Sequence, residues 1–193
     1  TQGLLDVLDK YNVKVTFFVT NTHPDYQNLI AEEAKRGHTV AIHSASHKYN
    51  QIYTSEQAFF DDLEQMNSII KAQTGNDASI IRFPGGSSNT VSKDYCPGIM
   101  TQLVNDVTAR GLLYCDWNVS SGDANNKPIS TEQVVQNVIS GVQSHNVSVV
   151  LQHDIKDFSV NAVEQIIQWG QANGYTFLPL TTSSPMSHHR VNN

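Results

Sequence analysis

The chain has few cysteines, few basic residues and no long apolar stretch, and each of these shortages excludes a class of protein. Its two cysteines, Cys96 and Cys115, cannot form a disulfide framework and lack the spacing of a zinc knuckle, so one disulfide or two free thiols stay open. Twelve basic against 18 acidic residues give a formal charge of −6, with no basic cluster, so we expect no nucleic-acid partner. No apolar run approaches the roughly 20 residues of a membrane-spanning helix.

The composition is that of a globular protein. With 193 residues, of which 39% are hydrophobic and 16% charged, the chain is long enough for one substantial domain with a closed core. We place that domain at residues 1–180 and assign the polar residues 181–193 to a C-terminal tail. His188 and His189 fall in this tail, where we expect them to be mobile rather than to bind a ligand.

Short apolar segments alternate with amphipathic segments along the chain. The apolar ones are rich in β-branched and aromatic residues, which favours strands, and the others carry apolar residues at helical spacing. Two helix starts show a capping-box pattern, Thr54 with Gln57 and Ser130 with Gln133. This alternation indicates βαβ units and therefore an α/β fold with a parallel sheet. The predicted strands cover residues 13–20, 38–42, 79–83, 112–119, 147–151 and 175–180.

The chain opens on a predicted helix rather than on a strand. Leu4, Leu5 and Leu8 form the apolar face of this helix, and no strand pattern precedes them. In a closed sheet built from βα units, a strand should lead into the first helix. We therefore expect one further strand upstream of Thr1.

Two histidines follow the second predicted strand. His43 and His47 stand four residues apart, and on one helical turn both imidazoles would face the same metal ion. The carboxyl ends of parallel strands are where α/β proteins build their sites, which favours a metal-binding interpretation. The HxxxH pattern is loose when taken alone, and two surface histidines explain it equally well.

Three other predicted strand ends carry polar or flexible residues. Arg82 and the pair Gly85 and Gly86 follow the third strand, where they offer a cation and a backbone N–H that a ligand can approach closely. His153, after the fifth strand, is a candidate general acid, and Asp123, after the fourth, could orient it. An ordinary turn or polar strand terminus explains each segment singly, but chance poorly explains four such ends among six strands.

The segments HSASH, RFPGG, DWNVSSGD and LQHD, in this order and at these intervals, resemble the motifs of the polysaccharide deacetylases, the family-four carbohydrate esterases. The likeness covers nearly the whole chain and is strongest to the peptidoglycan-deacetylase-like proteins of Gram-positive bacteria. It implies a distorted (β/α) barrel of about seven parallel strands, of which this chain supplies about six. It also implies a divalent metal (zinc first, with cobalt, manganese or nickel as alternatives), a carbohydrate polymer as substrate and an extracellular or cell-surface location.

The resemblance carries over four roles on the segments HSASH and RFPGG. His43 and His47 match the two metal-binding histidines. Arg82 matches the arginine that positions the catalytic base, and the N–H of Gly85 stands where the family places a donor to the oxyanion. The family more often has an aromatic residue at the Gly85 position, so this chain loses a side chain there and keeps the N–H.

The last two motifs carry over three roles. His153 matches the general acid, and Asp123 matches the aspartate that tunes this acid. Leu151 matches an apolar wall of the substrate site near the acetyl methyl group. The chain departs from the family at Ala124, where many members have a tryptophan, so we expect that one wall of the substrate pocket has lost its indole.

The family's opening motif, Thr-Phe-Asp-Asp-Gly, is absent from the chain, although it supplies the catalytic base and the third metal ligand. Asp61 and Asp62 do not replace it, because they fall in a long predicted helix. We therefore expect these 193 residues alone to be inactive. Two functions stay open: a metal-dependent deacetylase whose opening motif precedes Thr1, and a non-catalytic carbohydrate-binding or wall-associated module with the same fold. An unrelated HxxxH metallohydrolase would leave RFPGG and LQHD unexplained.

Overall fold

The computed structural model describes residues 1–124, 127 and 129–193. Helices and short parallel strands alternate along the chain, which confirms the predicted α/β fold. In chain order the elements are α1 (Gln2–Lys10), β1 (Thr16–Thr20), a 3-10 turn (Pro24–Tyr26), α2 (Asn28–Lys35), β2 (Thr39–Ser44), α3 (Tyr49–Ile52), α4 (Glu56–Thr74), β3 (Ile80–Ile81), a 3-10 turn (Val91–Asp94), α5 (Ile99–Ala109), β4 (Leu113–Tyr114), β5 (Val119–Ser120), α6 (Thr131–Gln143), β6 (Val150–Leu151) and α7 (Asp157–Ala172).

The chain divides into two compact units, which are described separately below. Unit 1 consists of Thr1–Val15 and Trp117–Leu178, and unit 2 of Thr16–Asp116 and Pro179–Asn193. Unit 2 contains a parallel sheet with the strand order β1-β2-β3-β4. Unit 1 contains the parallel pair β5-β6 and the helices α1, α6 and α7. The predicted domain limits, 1–180 and 181–193, stay a prediction.

Helix α4 provides much of the core of unit 2. Its residues Phe59, Met66 and Ile70 recur at helical spacing and are at most 4% exposed. They belong to the same buried cluster as Ile42 of β2 and Ile81 of β3. The sheet strands that end in candidate site residues are therefore supported by one long, well-buried helix.

The start of α4 lies one residue later than the capping-box pattern predicts. Ser55 is the N-cap, and its hydroxyl accepts a hydrogen bond from the N–H three residues on, at 3.1 Å. Thr54 instead donates to the carbonyl of Gln51 at 2.8 Å. For α6 the predicted cap is confirmed, since the Ser130 hydroxyl accepts from the N–H of Gln133 at 3.1 Å. Two adjacent hydroxyl residues allow either cap, and the spacing alone did not separate them.

Three of the predicted strands (13–20, 79–83 and 147–151) are shorter in the structure, and two others (112–119 and 175–180) are wrong. The segment 112–119 contains two separate strands, of which β4 pairs with β3 and β5 pairs with β6. The segment 175–180, all of which the structure describes, forms no strand. Pro179 has no N–H to donate to a ladder. The backbone N–H and carbonyl of Leu180 bond instead to the side-chain hydroxyls of Thr16 and Thr39, both at 2.7 Å.

The C-terminal residues 181–193 contain no helix or strand, yet they are attached to unit 2. The His188 ring stacks on Tyr114 with 4.0 Å between ring centroids, and the N–H of His189 donates to a carboxylate oxygen of Asp116 at 2.9 Å. The expectation that these histidines lie in a mobile tail is therefore wrong. The polar composition was misleading because backbone groups make much of this attachment.

Unit 1 is held by apolar packing between its helices and by a polar contact at its N-terminal helix. The carboxylate of Glu164 on α7 accepts hydrogen bonds from Lys10 Nζ and from the Tyr11 hydroxyl, both at 2.7 Å. These bonds attach α1 to α7. The buried cluster between α6 and α7 contains Val134, Val135, Val138, Ala162 and Ile166.

The structure decides between the two alternatives for the cysteines. Cys96 and Cys115 are both free thiols. Cys115 is fully buried, and burial raises the pKa of its thiol.

In the part of the chain that the structure describes, no helix combines the length and the apolar character needed to cross a membrane.

The packing of α6 against β5 gives a prediction about Gly141. A Cβ atom at this position would lie 2.5 Å from Cγ1 of Val119, well inside van der Waals contact. We expect Gly141→Ala to lower the free energy of unfolding by about 1–3 kcal/mol, although alanine is the better helix former by about 1 kcal/mol. Chemical denaturation measures this change.

The matched control is Gly3→Ala on α1, where no atom lies within 4 Å of an added Cβ. This variant should leave the free energy of unfolding unchanged or raise it by up to about 1 kcal/mol. If both variants changed stability equally, the close packing at Gly141 would be contradicted.

Candidate active site

His43 and His47 lie close together at the end of β2. Their ring centroids are 5.0 Å apart, with 48° between the ring planes. His43 belongs to β2 itself, and His47 has a left-handed backbone with φ 54°. The assumption that the two rings share one helical turn is therefore wrong. A strand end and the turn after it bring them together instead.

The environment of His43 suits a metal ligand. Its Nδ1 lies 2.7 Å from the backbone carbonyl oxygen of Arg82. Because a carbonyl oxygen only accepts hydrogen bonds, Nδ1 carries the proton and the lone pair is on Nε2. Metal-binding histidines characteristically have their second nitrogen bonded in this way. Among residues 1–124, 127 and 129–193, no group of three His, Cys, Asp or Glu residues could hold a metal, so the described chain offers this pair and not a full ligand set.

Asp62 on α4 holds the turn that carries His47, and sequence reasoning missed this role. Its carboxylate accepts hydrogen bonds from the Ser44 hydroxyl at 2.6 Å and from the next two backbone N–H groups at 2.9 and 2.8 Å. The Ser44 hydroxyl in turn accepts the N–H of His47 at 2.8 Å. A signal was present, since Asp62 shares the helical period of the buried residues Phe59 and Met66, where a carboxylate is unusual.

Arg82 follows β3 and is fixed within unit 2, with an exposed fraction of only 7%. Its Nε and Nη2 donate to the backbone carbonyls of Cys115 and Asp116 at 2.8 and 2.9 Å. The guanidinium carbon lies 4.0 Å from the centre of the Phe18 ring. Burial lowers the pKa of Arg82, while the nearby Asp116 carboxylate acts in the opposite direction. The side chain is thus a rigid cation, which suits a positioning role.

The N–H of Gly85 is oriented by Tyr53, and sequence reasoning did not connect these two residues. Tyr53 is fully buried, and its hydroxyl donates to the carbonyl oxygen of Pro84 at 2.7 Å. In a trans peptide the C=O and N–H point in opposite directions, so this bond sets the direction of the next N–H. Gly85 is exposed, and in the described part of the chain its N–H donates to no other group. It can therefore receive a ligand oxygen.

The loop after Gly85 is held by the buried carboxylate of Asp116. One carboxylate oxygen accepts the N–H of Ser87 at 2.8 Å, and the other accepts the Ser87 hydroxyl at 2.5 Å. This second oxygen also accepts the N–H of His189, described above. Asp116 therefore ties the glycine-containing loop to the C-terminal segment of the chain.

In unit 1, His153 contacts Asp123 directly. The ring Nδ1 of His153 lies 2.8 Å from one carboxylate oxygen of Asp123. The other oxygen accepts the backbone N–H of His153 at 2.7 Å and the hydroxyl of Ser159 at 2.6 Å. Lys156 Nζ donates to the backbone carbonyl of Asp123. Ser159 is a further residue that no sequence pattern indicates, because its partner Asp123 lies 36 residues away.

The Asp123 carboxylate is 2% exposed but remains charged. Burial alone would raise its pKa, but the hydrogen bonds from the His153 ring, from Ser159 and from the His153 N–H outweigh burial, so the pKa of Asp123 lies well below its ordinary value. The His153 side chain is 37% exposed, and only its Nδ1 contacts the carboxylate. Nε2, on the opposite side of the ring, is therefore the nitrogen that a substrate would meet.

Each unit thus brings together part of the predicted site. Unit 2 joins the segments HSASH and RFPGG, because His43 bonds to the backbone of Arg82. Unit 1 joins the last two motifs through His153 and Asp123. Leu151 lies on β6, two residues before His153, and is partly buried. The roles assigned to these residues stay predictions.

The Asp62 contacts give a prediction about stability. Asp62→Asn replaces an accepting oxygen by a donating amide, so at least one group of the turn after β2 loses its partner. We expect the free energy of unfolding to fall by about 1–3 kcal/mol. Asp61→Asn is the matched control, since Asp61 is exposed and should change stability by less than about 0.5 kcal/mol. Urea denaturation compares the two; an equal effect would mean that other contacts hold the turn.

Comparison with known proteins identifies relatives of one kind. The family model described as polysaccharide deacetylase matches residues 1–96. A peptidoglycan-N-acetylglucosamine deacetylase of Bacillus cereus is 29% identical over 182 residues, which cover 92% of this chain and 63% of that protein. One of Listeria monocytogenes is 28% identical over 194 residues, which cover 93% and 35%. The chain therefore spans less than two thirds of the length of these relatives.

Solved structures agree with this result. The chain is 28% identical to the polysaccharide deacetylase Bc1974 of Bacillus cereus, with a TM-score of 0.82 over 99% of this chain and 89% of that one. It is 98% identical to the crystallised catalytic domain of peptidoglycan N-acetylglucosamine deacetylase from Eubacterium rectale, with a TM-score of 0.99 over 100% of this chain and 87% of that one. By its sequence and its fold, the chain belongs to the polysaccharide deacetylase family.

Proposed function

We propose that the protein is a metal-dependent hydrolase that removes acetyl groups from N-acetylated sugars of a cell-wall polysaccharide, either peptidoglycan or a chitin-like polymer. The observation that carries this proposal is the bond between His43 Nδ1 and the Arg82 carbonyl, which fixes the His43 ring 5.0 Å from the His47 ring in the unit that also presents the Gly85 N–H. The Bacillus cereus and Eubacterium rectale relatives are peptidoglycan N-acetylglucosamine deacetylases, which supports the substrate class. A cell-wall substrate favours an extracellular or cell-surface location.

His43 and His47 would hold the divalent metal, with zinc first and cobalt, manganese or nickel as alternatives. Such a metal polarises the acetyl carbonyl and lowers the pKa of a bound water. Catalytic zinc usually has three protein ligands, so we assign the third ligand and the catalytic base to the family's aspartate pair, supplied by residues outside these 193. These 193 residues alone are then inactive, and the complete domain is a distorted (β/α) barrel of about seven strands.

The residues of unit 2 would act on the acetyl group. The Gly85 N–H donates to the carbonyl oxygen as negative charge develops there, which lowers the barrier to water addition. Tyr53 keeps this donor oriented through its bond to the Pro84 carbonyl. Arg82, fixed by two backbone carbonyls, positions the aspartate that takes the proton of the attacking water.

The residues of unit 1 would act on the leaving group. The C–N bond breaks, acetate is formed, and the sugar nitrogen departs as an amine that takes a proton from His153 Nε2. Asp123 holds the imidazole by Nδ1 and thereby orients Nε2. Leu151 forms the apolar wall near the acetyl methyl group.

Acetate release from N-acetylglucosamine oligomers by the full-length protein tests the function. We expect release that stops when a chelator removes the metal and returns with added zinc. His43→Ala should lower the rate at least about 100-fold, because a metal ligand is lost. His145→Ala is the control. His145 is exposed and lies two residues after the end of α6, so this substitution should leave the rate unchanged. No release with any divalent metal would favour the non-catalytic carbohydrate-binding module instead.

The contact between His153 and Asp123 predicts a graded loss of activity. His153→Ala should lower kcat by about 10²–10⁴-fold. Asp123→Asn should lose less, because an amide oxygen can still accept the hydrogen bond of the His153 ring. Asp157→Asn, which changes an exposed carboxylate in the first turn of α7, should leave kcat unchanged. Loss of metal from His153→Ala, or a larger loss of kcat in Asp123→Asn than in His153→Ala, would contradict these roles.

A further inference from the structure

We propose that Tyr49 contacts the substrate and that its hydroxyl recognises a hydroxyl group of the sugar ring that carries the acetamide. Tyr49 is the first residue of α3 and lies two residues after His47. The proposal rests on the deacetylase function proposed above and names a residue that determines its specificity.

The Tyr49 hydroxyl occupies the space beside Gly85. A Cβ atom on Gly85 would lie 2.6 Å from the Tyr49 oxygen and 3.4 Å from Cζ of its ring. The phenol of Tyr49 thus ends where a side chain on residue 85 would begin. Because Gly85 has φ 78° and carries the N–H assigned to the acyl oxygen, the Tyr49 hydroxyl lies next to the reacting part of a substrate.

The other end of the Tyr49 side chain is in contact with the histidine pair. The ring centroids of Tyr49 and His47 are 5.7 Å apart. The Tyr49 ring therefore extends from the proposed metal ligand to the proposed oxyanion donor. An acetyl group bound between His47 and the Gly85 N–H would therefore lie close to the Tyr49 side chain.

The Tyr49 hydroxyl is available for a ligand, whereas that of its neighbour Tyr53 is not. The two rings pack edge to face, 5.5 Å apart, which fixes the Tyr49 ring. Tyr53 uses its hydroxyl to bind the Pro84 carbonyl. For Tyr49, no hydrogen-bond partner is found in the described part of the chain. A phenol hydroxyl can both donate and accept a hydrogen bond.

The chemistry of the substrate indicates which group Tyr49 would meet. The acyl oxygen already has a donor in the Gly85 N–H, and the acetyl methyl group forms no hydrogen bond. The acetamide nitrogen is assigned to the general acid. The remaining polar groups nearby are the hydroxyls of the sugar ring, which donate and accept as a phenol does. A hydroxyl–hydroxyl bond of this kind contributes about 0.5–1.5 kcal/mol.

Tyr49→Phe in the full-length protein tests the proposal, because it removes the oxygen and keeps the ring. We expect kcat/KM for N-acetylglucosamine oligomers to fall by about 3–10-fold. A sugar-free probe, 4-methylumbelliferyl acetate as substrate or acetate as inhibitor, should be affected less than about twofold. Tyr26→Phe is the matched control, since Tyr26 is 63% exposed on a 3-10 turn and should change neither measurement.

Two results with Tyr49→Phe would overturn the proposal: an unchanged rate on the oligomers, or an equal loss on the oligomers and on the sugar-free probe. The second result would indicate a structural role. If the unmodified protein, loaded with metal, released no acetate from oligomers, the proposed function itself would fail, and this outcome is distinct from both of the others.

A second measurement tests the placement of the hydroxyl without using activity. Gly85→Ala should lower the midpoint of thermal unfolding because of the positive φ and the contact with the Tyr49 oxygen. The loss should be smaller by several degrees when Tyr49→Phe is present, since that oxygen is gone while the backbone strain is unchanged. Additive effects of the two substitutions would overturn the proposed position of the hydroxyl.

Discussion

The backbone of Arg82 is the junction on which the candidate site of unit 2 depends. Its N–H donates to the carbonyl of Ile42, and its own carbonyl accepts Nδ1 of His43. Its side chain binds two carbonyls that follow β4. One residue therefore joins the ends of β2, β3 and β4 and also selects the tautomer of a proposed metal ligand. A change in the strand register at this point would alter the cation, the histidine and the loop of Gly85 together.

The parts of the molecule that the sequence predicts well are those that depend on apolar periodicity. The parallel sheet, the long helix α4 and the cap of α6 follow from the spacing of apolar residues and from local hydrogen-bonding side chains. The contact of His153 with Asp123 could also be anticipated. The two residues follow neighbouring parallel strands, and the carboxyl ends of parallel strands lie at the same edge of a sheet. These features are encoded locally or by a simple repeat.

The parts that could not be predicted depend on partners distant in the chain, often backbone groups. Tyr53 binds a carbonyl 31 residues away, and His189 donates its backbone N–H to Asp116. Asp62 likewise holds backbone N–H groups and a serine hydroxyl in the turn after β2. Backbone N–H and carbonyl groups are common to nearly all residue types, so a sequence motif does not indicate which of them will bind a given side chain. The same reason explains the misjudged turn at His47, whose left-handed backbone is set by these contacts rather than by its four-residue spacing from His43.

The carboxylate of Asp116 connects residues 187–189 to the loop that follows Gly85. Three of its hydrogen bonds come from Ser87, near Gly85, and from His189, and the N–H of Asp116 bonds to the carbonyl of Ser187. Removal of residues 187–193 would leave a buried carboxylate with a missing donor and a buried N–H with a missing acceptor. Proteolytic cleavage that releases this segment would therefore disturb the loop of Gly85, which lies about a hundred residues away in sequence but is joined to the segment by one side chain.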